Sequence, residues 1–448
     1  MSSREQFSSK TGFVMAAAGS AIGLGNIWGF PTQTASNGGA AFVVVYFSMA
    51  LFLAYPALMA ELIIGRYARA NMVTALRLIS PGAASKAIAT GVGFTGVIIA
   101  SLILSFYAIV AGWMVAFLLE SITSTIGLDS VSSWLTTFSF ERNMIFMALF
   151  MTLTMSIVAS GVEGGIEKWS TRLMPMLIVI LISLIIYVTT QEGASEGLEI
   201  YLVPDFSQIN PALIIDAMGQ AFFSLSLGVG TMLIYGSYLG KDESLPKLGA
   251  AVTLIDASIA FTAGLLIIPA IYVAKYNGAE VFSDSGLLIA GPDLIFQVLP
   301  SLFSSMGSAG LLVAFAFFSL MTIASLTSSI SMLEVPVALA AEETSSGRVK
   351  ATIVIGSIVF GISSIILVNF ELLFDFVINL TTVYSQPLLG VMLCIFAGWV
   401  WHRNTLLKEI QSGHPDIEKS LFWKIWPHYV RFVCPVLILA AFIQSVVA

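Results

Sequence analysis

The sequence predicts an all-α polytopic membrane protein with eleven spans: two successive sets of five and one further C-terminal span. Three observations predict it. Of 448 residues, 57% are hydrophobic and only 10% charged, with a mean hydropathy of +0.94, so there is too little charge to cover a soluble domain of this size. Apolar runs long enough to cross a bilayer, roughly 20 residues, recur along the whole chain. The first and sixth of these runs are each interrupted by a glycine pair, at the same place in the two sets of five.

The spans read as 12–36, 41–65, 88–120, 143–159 and 170–190 for the first set, and 212–240, 248–274, 303–341, 350–369 and 373–401 for the second. A loop at 402–429 and a last span at 430–447 follow, all within one transmembrane domain, 1–448. Several runs exceed a straight crossing and predict tilt, breaks or extension into loops. Orientation follows from the loop Lys and Arg. With the N-terminus in the cytoplasm, 17 of the 19 basic residues fall inside, leaving only Arg142 and Lys275 outside. An odd span count then puts the C-terminus outside, in a multi-pass protein. Residues 1–11 are short and polar without a cleavable signal pattern, so the first span is expected to remain as its own insertion signal. The net charge of −7 is spread over loops, which gives no basic patch for nucleic acid. Cys394 and Cys434 lie in separate apolar runs and read as buried free thiols, with a pairing as the alternative.

Two outer loops are long. Residues 191–211 hold Glu192, Glu196, Glu199 and Asp205 without a basic residue, a solvated surface or a means of concentrating cations. Residues 275–302, with Pro292 and Pro300, read as a lid of short helices.

The stretch GSAIGLGNIWGFP, Gly19 to Pro31, sets Gly23-Leu24-Gly25 inside the first span; SLSLGVGTM sets Gly228-Val229-Gly230 inside the sixth. Paired broken spans point to an inverted-repeat transporter, in which unwound backbone lines a midplane site. Freed carbonyls serve cations and freed N–H groups serve anions, and only a protein-lined cavity tolerates such backbone. The alternative is close helix packing, which Gly19-xxx-Gly23 also fits. Asn26 beside one break and Ser224 and Ser226 beside the other favour a site. Glu61, Asp256 and Glu334 stand out among the ionisable groups within spans, and Thr327-Ser328-Ser329 is a hydroxyl run that could equally back-bond to its own helix. Asp256 has no Lys or Arg in a neighbouring span interior, which makes a bound cation its economical counter-charge. Hard oxygen ligands without Cys or His suit an alkali cation. His402, His414 and His428 all sit in the last inside loop without metal-ligand spacing, and no Ser/His/Asp set or phosphate loop suggests an enzyme or an organic cofactor.

These residues resemble the neurotransmitter:sodium symporter family, particularly its bacterial amino-acid transporters with eleven spans. The likeness covers essentially the whole chain and rests on GSAIGLGNIWGFP, NGGAAF at 37–42, ELIIGR at 61–66, SFYAIVAGW at 105–113, QAFFSLSLGVG at 220–230 and ASLTSSISMLEVP at 324–336. It implies a leucine-transporter-type fold of inverted five-helix repeats, a place in the plasma membrane (bacterial inner membrane) and two sodium sites. The first would use Ala21, Asn26, Ser224 and Asp256; the second Gly19, Ile22, Ala324, Thr327 and Ser328. A neutral amino acid would place its carboxylate on Leu24, Gly25, Tyr107 and the first sodium, and its ammonium on Ala21, Phe223, Ser224 and Ser226. Its side chain would face Ile103, Tyr107, Phe223, Val229, Ser328 and Met332. Tyr107 and Phe223 would form the outer lid, Arg4 with Glu342 and Tyr238 the inner gate, and Glu61 would brace the unwound sixth span.

Three departures from the family pattern matter. Gly29 stands where many members carry an outer-gate arginine, leaving Asp375 without that partner. Asp256 stands where many have Asn and, beside Tyr46, Gln220 and Ser224, could replace the chloride some members require. Val229 is smaller than the residue often found between those glycines, which favours a bulky apolar or aromatic substrate. The resulting expectation is chloride-independent, sodium-coupled symport of a neutral amino acid by alternating access. The other readings are a channel, a substrate-binding sensor with impaired transport, or a transporter of a related small amine.

Overall fold

The computed structural model describes residues 4–281, 294–306, 308–344 and 347–447. Nine described helices are long and apolar enough to cross a membrane: Ala40–Ala68, Ala83–Thr125, Phe140–Ala159, Val162–Thr189, Leu245–Tyr276, Ala309–Glu343, Arg348–Val368, Phe370–Val400 and Leu421–Val446. They are the second to fifth and seventh to eleventh spans. The first is a bent pair, Lys10–Ala21 and Gly25–Ser36, with 55° between its halves. The sixth is also in two pieces, Pro211–Ser224 and Thr231–Ser237, each too short to cross alone. Both spans the sequence marks as weak are therefore broken.

Local chemistry sets these ends. Ser9 caps the first helix by accepting from Gly12 N at 2.9 Å, and Asn210 caps the sixth span by accepting from Leu213 N at 2.9 Å. Pro211 follows at the first helical position, where its missing N–H costs nothing. One apolar core joins the spans, and the broken spans sit inside it, the first against the fifth, seventh and eighth and the sixth against the second, eighth and eleventh. Small residues allow this approach: a Cβ at Gly65 would lie 1.9 Å from Leu233 O, so the second and sixth spans touch backbone to backbone there.

Several expected boundaries shift. The eighth span begins as Ala309–Glu343, because a separate short helix, Leu299–Ser305, takes the start of the run expected at 303. The 402–429 segment is not a plain loop: it holds the helix Arg403–Gly413, and the eleventh span starts at Leu421, capped by Ser420, which accepts from Trp423 N at 3.3 Å. The polar residues that made this segment look like a loop lie on a helix whose Leu406 and Ile410 are buried. Of the expected lid at 275–302, residues 282–293, including Pro292, lie outside the described residues; Pro300 lies within Leu299–Ser305. The acidic 191–211 loop contains the helix Ala194–Leu202, and its Glu196 pairs with Lys275 at 2.9 Å. Arg142, expected as an exposed outer-loop charge, is fully buried: Nε donates to Leu135 O at 2.9 Å and the guanidinium stands 5.0 Å from the Phe138 ring centre. Cys394 and Cys434 are both free and buried.

Candidate functional site

The first helix stops at Ala21 because Ile22 is extended (ψ 97°), and helical geometry resumes at Leu24 (φ −59°, ψ −29°). The unwound residues are thus Ile22 and Gly23, and Gly25 already lies in the second helical half, a shift from a break at both Gly23 and Gly25. Gly23 is required by space: a Cβ there would lie 2.5 Å from Ser328 Oγ and 2.9 Å from Tyr107 Oη. In the sixth span the break runs from Leu225 to Gly230, longer than the glycine pair alone marks. Its backbone enters the left-handed region at Ser226 (φ 52°), Gly228 (φ 90°) and Gly230 (φ 80°). Ser226 holds that conformation without being glycine, a strain characteristic of functional sites. The buried Glu61 carboxylate accepts from Gly228 N at 2.7 Å and Leu233 N at 3.3 Å, satisfying two donors that the break exposes.

Two oxygen clusters lie beside these breaks. In one, Asn26 Nδ2 donates to Asp256 Oδ1 at 2.7 Å, and Ser224 Oγ donates to Asp256 Oδ1 and Oδ2 at 3.1 and 2.9 Å. Tyr46 Oη adds a contact to Ser224 Oγ at 3.3 Å, and all four residues are buried. Among the described residues Asp256 meets no basic group, and no cluster of three His, Cys, Asp or Glu exists to favour a transition metal. In the other cluster, Ser328 Oγ lies 3.4, 3.2 and 3.3 Å from the carbonyl oxygens of Gly19, Ser20 and Ile22. Thr327 Oγ1 lies 3.1 Å from Ala324 O. One hydroxyl proton cannot satisfy three carbonyls, so this is an oxygen-rich, uncharged cradle suited to a monovalent cation.

Between the clusters is a cavity of about 320 Å³. All eleven residues expected to contact substrate line it: Ala21, Leu24, Gly25, Ile103, Tyr107, Phe223, Ser224, Ser226, Val229, Ser328 and Met332. Its walls are mainly apolar, with polar groups where the helices break. Tyr107 Oη accepts from Leu24 N at 3.4 Å, and Ser226 Oγ donates to Ser20 O at 3.3 Å. The cavity continues past Trp28 and Gly29 to Phe374, Asp375 and Ile378. Of the two expected lid residues, Phe223 is 38% exposed and Tyr107 6%. Phe106 and Val110, one turn beyond Ile103 and Tyr107 on the same helix face, also line it and were legible from that spacing. Phe374, Ile378 and Gln386 carried no such signal.

The opposite end is closed. Arg4 pairs with Glu342 and also holds Ser237 Oγ at 2.6 Å, while Glu342 Oε2 accepts from Asn71 N at 2.9 Å and Asn71 Nδ2 at 2.8 Å. Tyr238 places its ring 4.7 Å beneath the Arg4 guanidinium, but its hydroxyl donates to Glu334, which also pairs with Arg348. Sequence reasoning missed Glu167, which accepts from Ser8 N at 2.7 Å and from the hydroxyls of Ser8 and Ser9 at 2.8 and 2.9 Å. It also missed the buried pair of Arg66 and Glu409, 2.7 Å apart, because Arg66 read as a loop charge.

A sequence model of the Sodium:neurotransmitter symporter family matches residues 4–145 and 139–448. The chain belongs to this family. Among its relatives are two named only as uncharacterized sodium-dependent transporters. YhdH of Bacillus subtilis is 32% identical, aligned over 98% of this chain and 97% of its own. The protein from Haemophilus influenzae is 31% identical over 99% and 98%. Among solved structures, MhsT in complex with L-phenylalanine matches with a TM-score of 0.83 at 37% identity, covering 99% of this chain and all of the other. This symporter-family chain is therefore a multi-pass membrane protein with the leucine-transporter-type fold, a sodium-dependent transporter and not an enzyme.

Proposed function

We propose that the protein carries a bulky neutral amino acid, apolar or aromatic, together with two sodium ions, by alternating access and without chloride. The observation that carries this reading is the joining of both oxygen clusters to one largely apolar cavity at the two helix breaks. The first sodium would bind Ala21, Asn26, Ser224 and Asp256, and the second Gly19, Ile22, Ala324, Thr327 and Ser328. The substrate carboxylate would lie on Leu24, Gly25, Tyr107 and the first sodium. Its ammonium would meet carbonyls of Ala21, Phe223 and Ser224 and the Ser226 side chain. Ile103, Val229 and Met332 would enclose the apolar side chain. The phenylalanine bound by MhsT is of the same class.

Direction follows from the membrane potential. Each charge gains about 2.3 kcal/mol per 100 mV. Two sodium ions moving inward with a zwitterion would gain about 4.6 kcal/mol, roughly three decades of accumulation. With the N-terminus in the cytoplasm, Arg4 and Glu342 form the inner gate, and the cavity past Gly29 and Asp375 faces outward. The residues 12–190 and 212–401 then act as inverted repeats, with 430–447 outside the moving core. Uptake into proteoliposomes, screened over the twenty amino acids and a few amines, tests this reading. The expected result is saturable uptake that requires sodium and survives replacement of chloride by gluconate. Binding without accumulation would instead identify a sensor, a reading supported by the absence of a basic partner for Asp375 among the described residues.

A further inference from the structure

A second, larger cavity of about 520 Å³ lies far from the helix breaks. It sits where the tenth span ends, the eleventh begins and the short helix Met72–Leu78 runs into the third span, on the face that carries most of the basic residues. We propose that this cavity binds a phosphate-bearing anion, either the phosphodiester headgroup of an anionic lipid or free phosphate.

Three observations converge on that chemistry. First, the charged walls are of one sign: Arg403 and Arg431 line the cavity with His402 and His428, and no acidic residue does. Neither arginine pairs with a carboxylate among the described residues. Second, both guanidiniums are held by aromatic faces, Arg431 3.8 Å above the Trp399 ring centre and Arg403 5.5 Å above that of Trp423. Stacking of this kind fixes the plane and leaves the N–H edges for an oxyanion. Third, the eleven-residue helix Arg403–Gly413 begins at the cavity wall, and its N-cap, His402, makes no capping side-chain bond. Such an end offers backbone N–H groups and a favourable dipole to an anion.

The walls are also built to stay in place. A Cβ at Gly398 would lie 2.8 Å from Arg431 Cα, and Trp399 Nε1 donates to Arg431 O at 2.9 Å, which locks the end of the tenth span to the start of the eleventh. A phosphate offers several oxygens to two arginines and a helix end at once, whereas a carboxylate offers two. The rim residues Leu78 and Trp399 are 56% and 53% exposed, giving an apolar edge along which the acyl chains of a lipid would lie.

Native mass spectrometry of the purified full chain tests the proposal, in detergent doped with equal amounts of phosphatidylglycerol and phosphatidylcholine. A parallel arm measures thermal unfolding with inorganic phosphate alone. Three forms are compared: the parent, Arg403→Gln/Arg431→Gln, and the single variant Arg403→Gln, which leaves the Arg431 packing against Gly398 and Trp399 in place. The parent should retain phosphatidylglycerol at least about fivefold over phosphatidylcholine, and the double variant should lose that preference. Stabilisation of the parent by inorganic phosphate, absent in the double variant and without lipid preference, would support the anion site and assign it to free phosphate. Equal retention of both lipids by the parent without a phosphate effect would overturn the proposal, as would undiminished anion binding in the double variant. Should the double variant fail to fold, Arg403→Gln decides by the same comparison.

Discussion

The Ser224 hydroxyl lies within hydrogen-bonding distance of both oxygens of the Asp256 carboxylate, 3.1 and 2.9 Å away, and ties that carboxylate to the broken sixth span. Tyr46 approaches the same hydroxyl at 3.3 Å, so a fixed negative charge sits among donors that could otherwise hold an anion. The buried carboxylate then supplies the counter-charge of the proposed first sodium.

Neutralising it makes the first prediction. Asp256→Asn should lower sodium-driven uptake at least about tenfold in chloride-free buffer, since losing one charge partner near a cation readily costs 1.4 kcal/mol. Added chloride should restore part of it. Parallel uptake assays in chloride and gluconate check this: a variant as active as the parent in gluconate would remove Asp256 from the ion site.

Glycine at position 23 and glycine at position 29 should behave oppositely. At Gly23 a Cβ would lie 2.5 Å from Ser328 Oγ, within the carbonyl cradle; at Gly29 its nearest neighbour would be Gln220 Oε1 at 3.5 Å, an ordinary contact. Gly23→Ala should abolish sodium-dependent binding, and Gly29→Ala should leave it near the parent value. Scintillation-proximity binding of the transported amino acid on both variants separates them. Equal loss in both would mean that the first span needs glycine for its backbone and not for space.

How much of this was legible depended on whether a residue's neighbours were near in sequence or type. Breaks at Gly23 and Gly228 follow from glycine pairs set beside polar residues at matching places in two spans, and the eleven pocket residues follow from the family likeness those motifs carry. Glu61, Asp256 and Glu334 were visible because an ionised group inside a span is expensive. Glu167 and Glu409 were not, because both lie in polar segments and their burial depends on Ser8, Ser9 and Arg66, distant in sequence. The length of the sixth break was hidden for another reason: Ser226 takes a positive φ that its residue type does not announce.

Glu61 provides a test of the brace. Its two oxygens accept from Gly228 N and Leu233 N, so Glu61→Gln keeps the shape but turns one acceptor into a donor facing an N–H. Leaving one buried donor unpaired costs about 1–3 kcal/mol. The variant should melt several degrees lower and bind substrate at least about fivefold more weakly, by the same energy. Differential scanning fluorimetry with and without sodium and substrate reads both effects, and an unchanged melting point would show that the break holds without Glu61.

The closed end predicts a shift in conformation, not in chemistry. Glu342 joins Arg4 to Asn71, so Glu342→Ala removes the ion pair and two further bonds, whereas Asn71→Ala leaves Arg4 paired. Glu342→Ala should therefore open the Arg4 side and weaken binding from the other side by about tenfold, the cost of a competing state populated at that ratio. Asn71→Ala should have a smaller effect. The two native cysteines are buried at 1% and 0% exposure, so a cysteine placed at Tyr238 in each background can be labelled with little interference. Faster labelling in Glu342→Ala than in Asn71→Ala, slowed again by sodium, is the expected order. Equal rates would mean that the pair does not set the closed state, and the weight would pass to the Glu334–Arg348 pair or to the Glu167 contacts with Ser8 and Ser9.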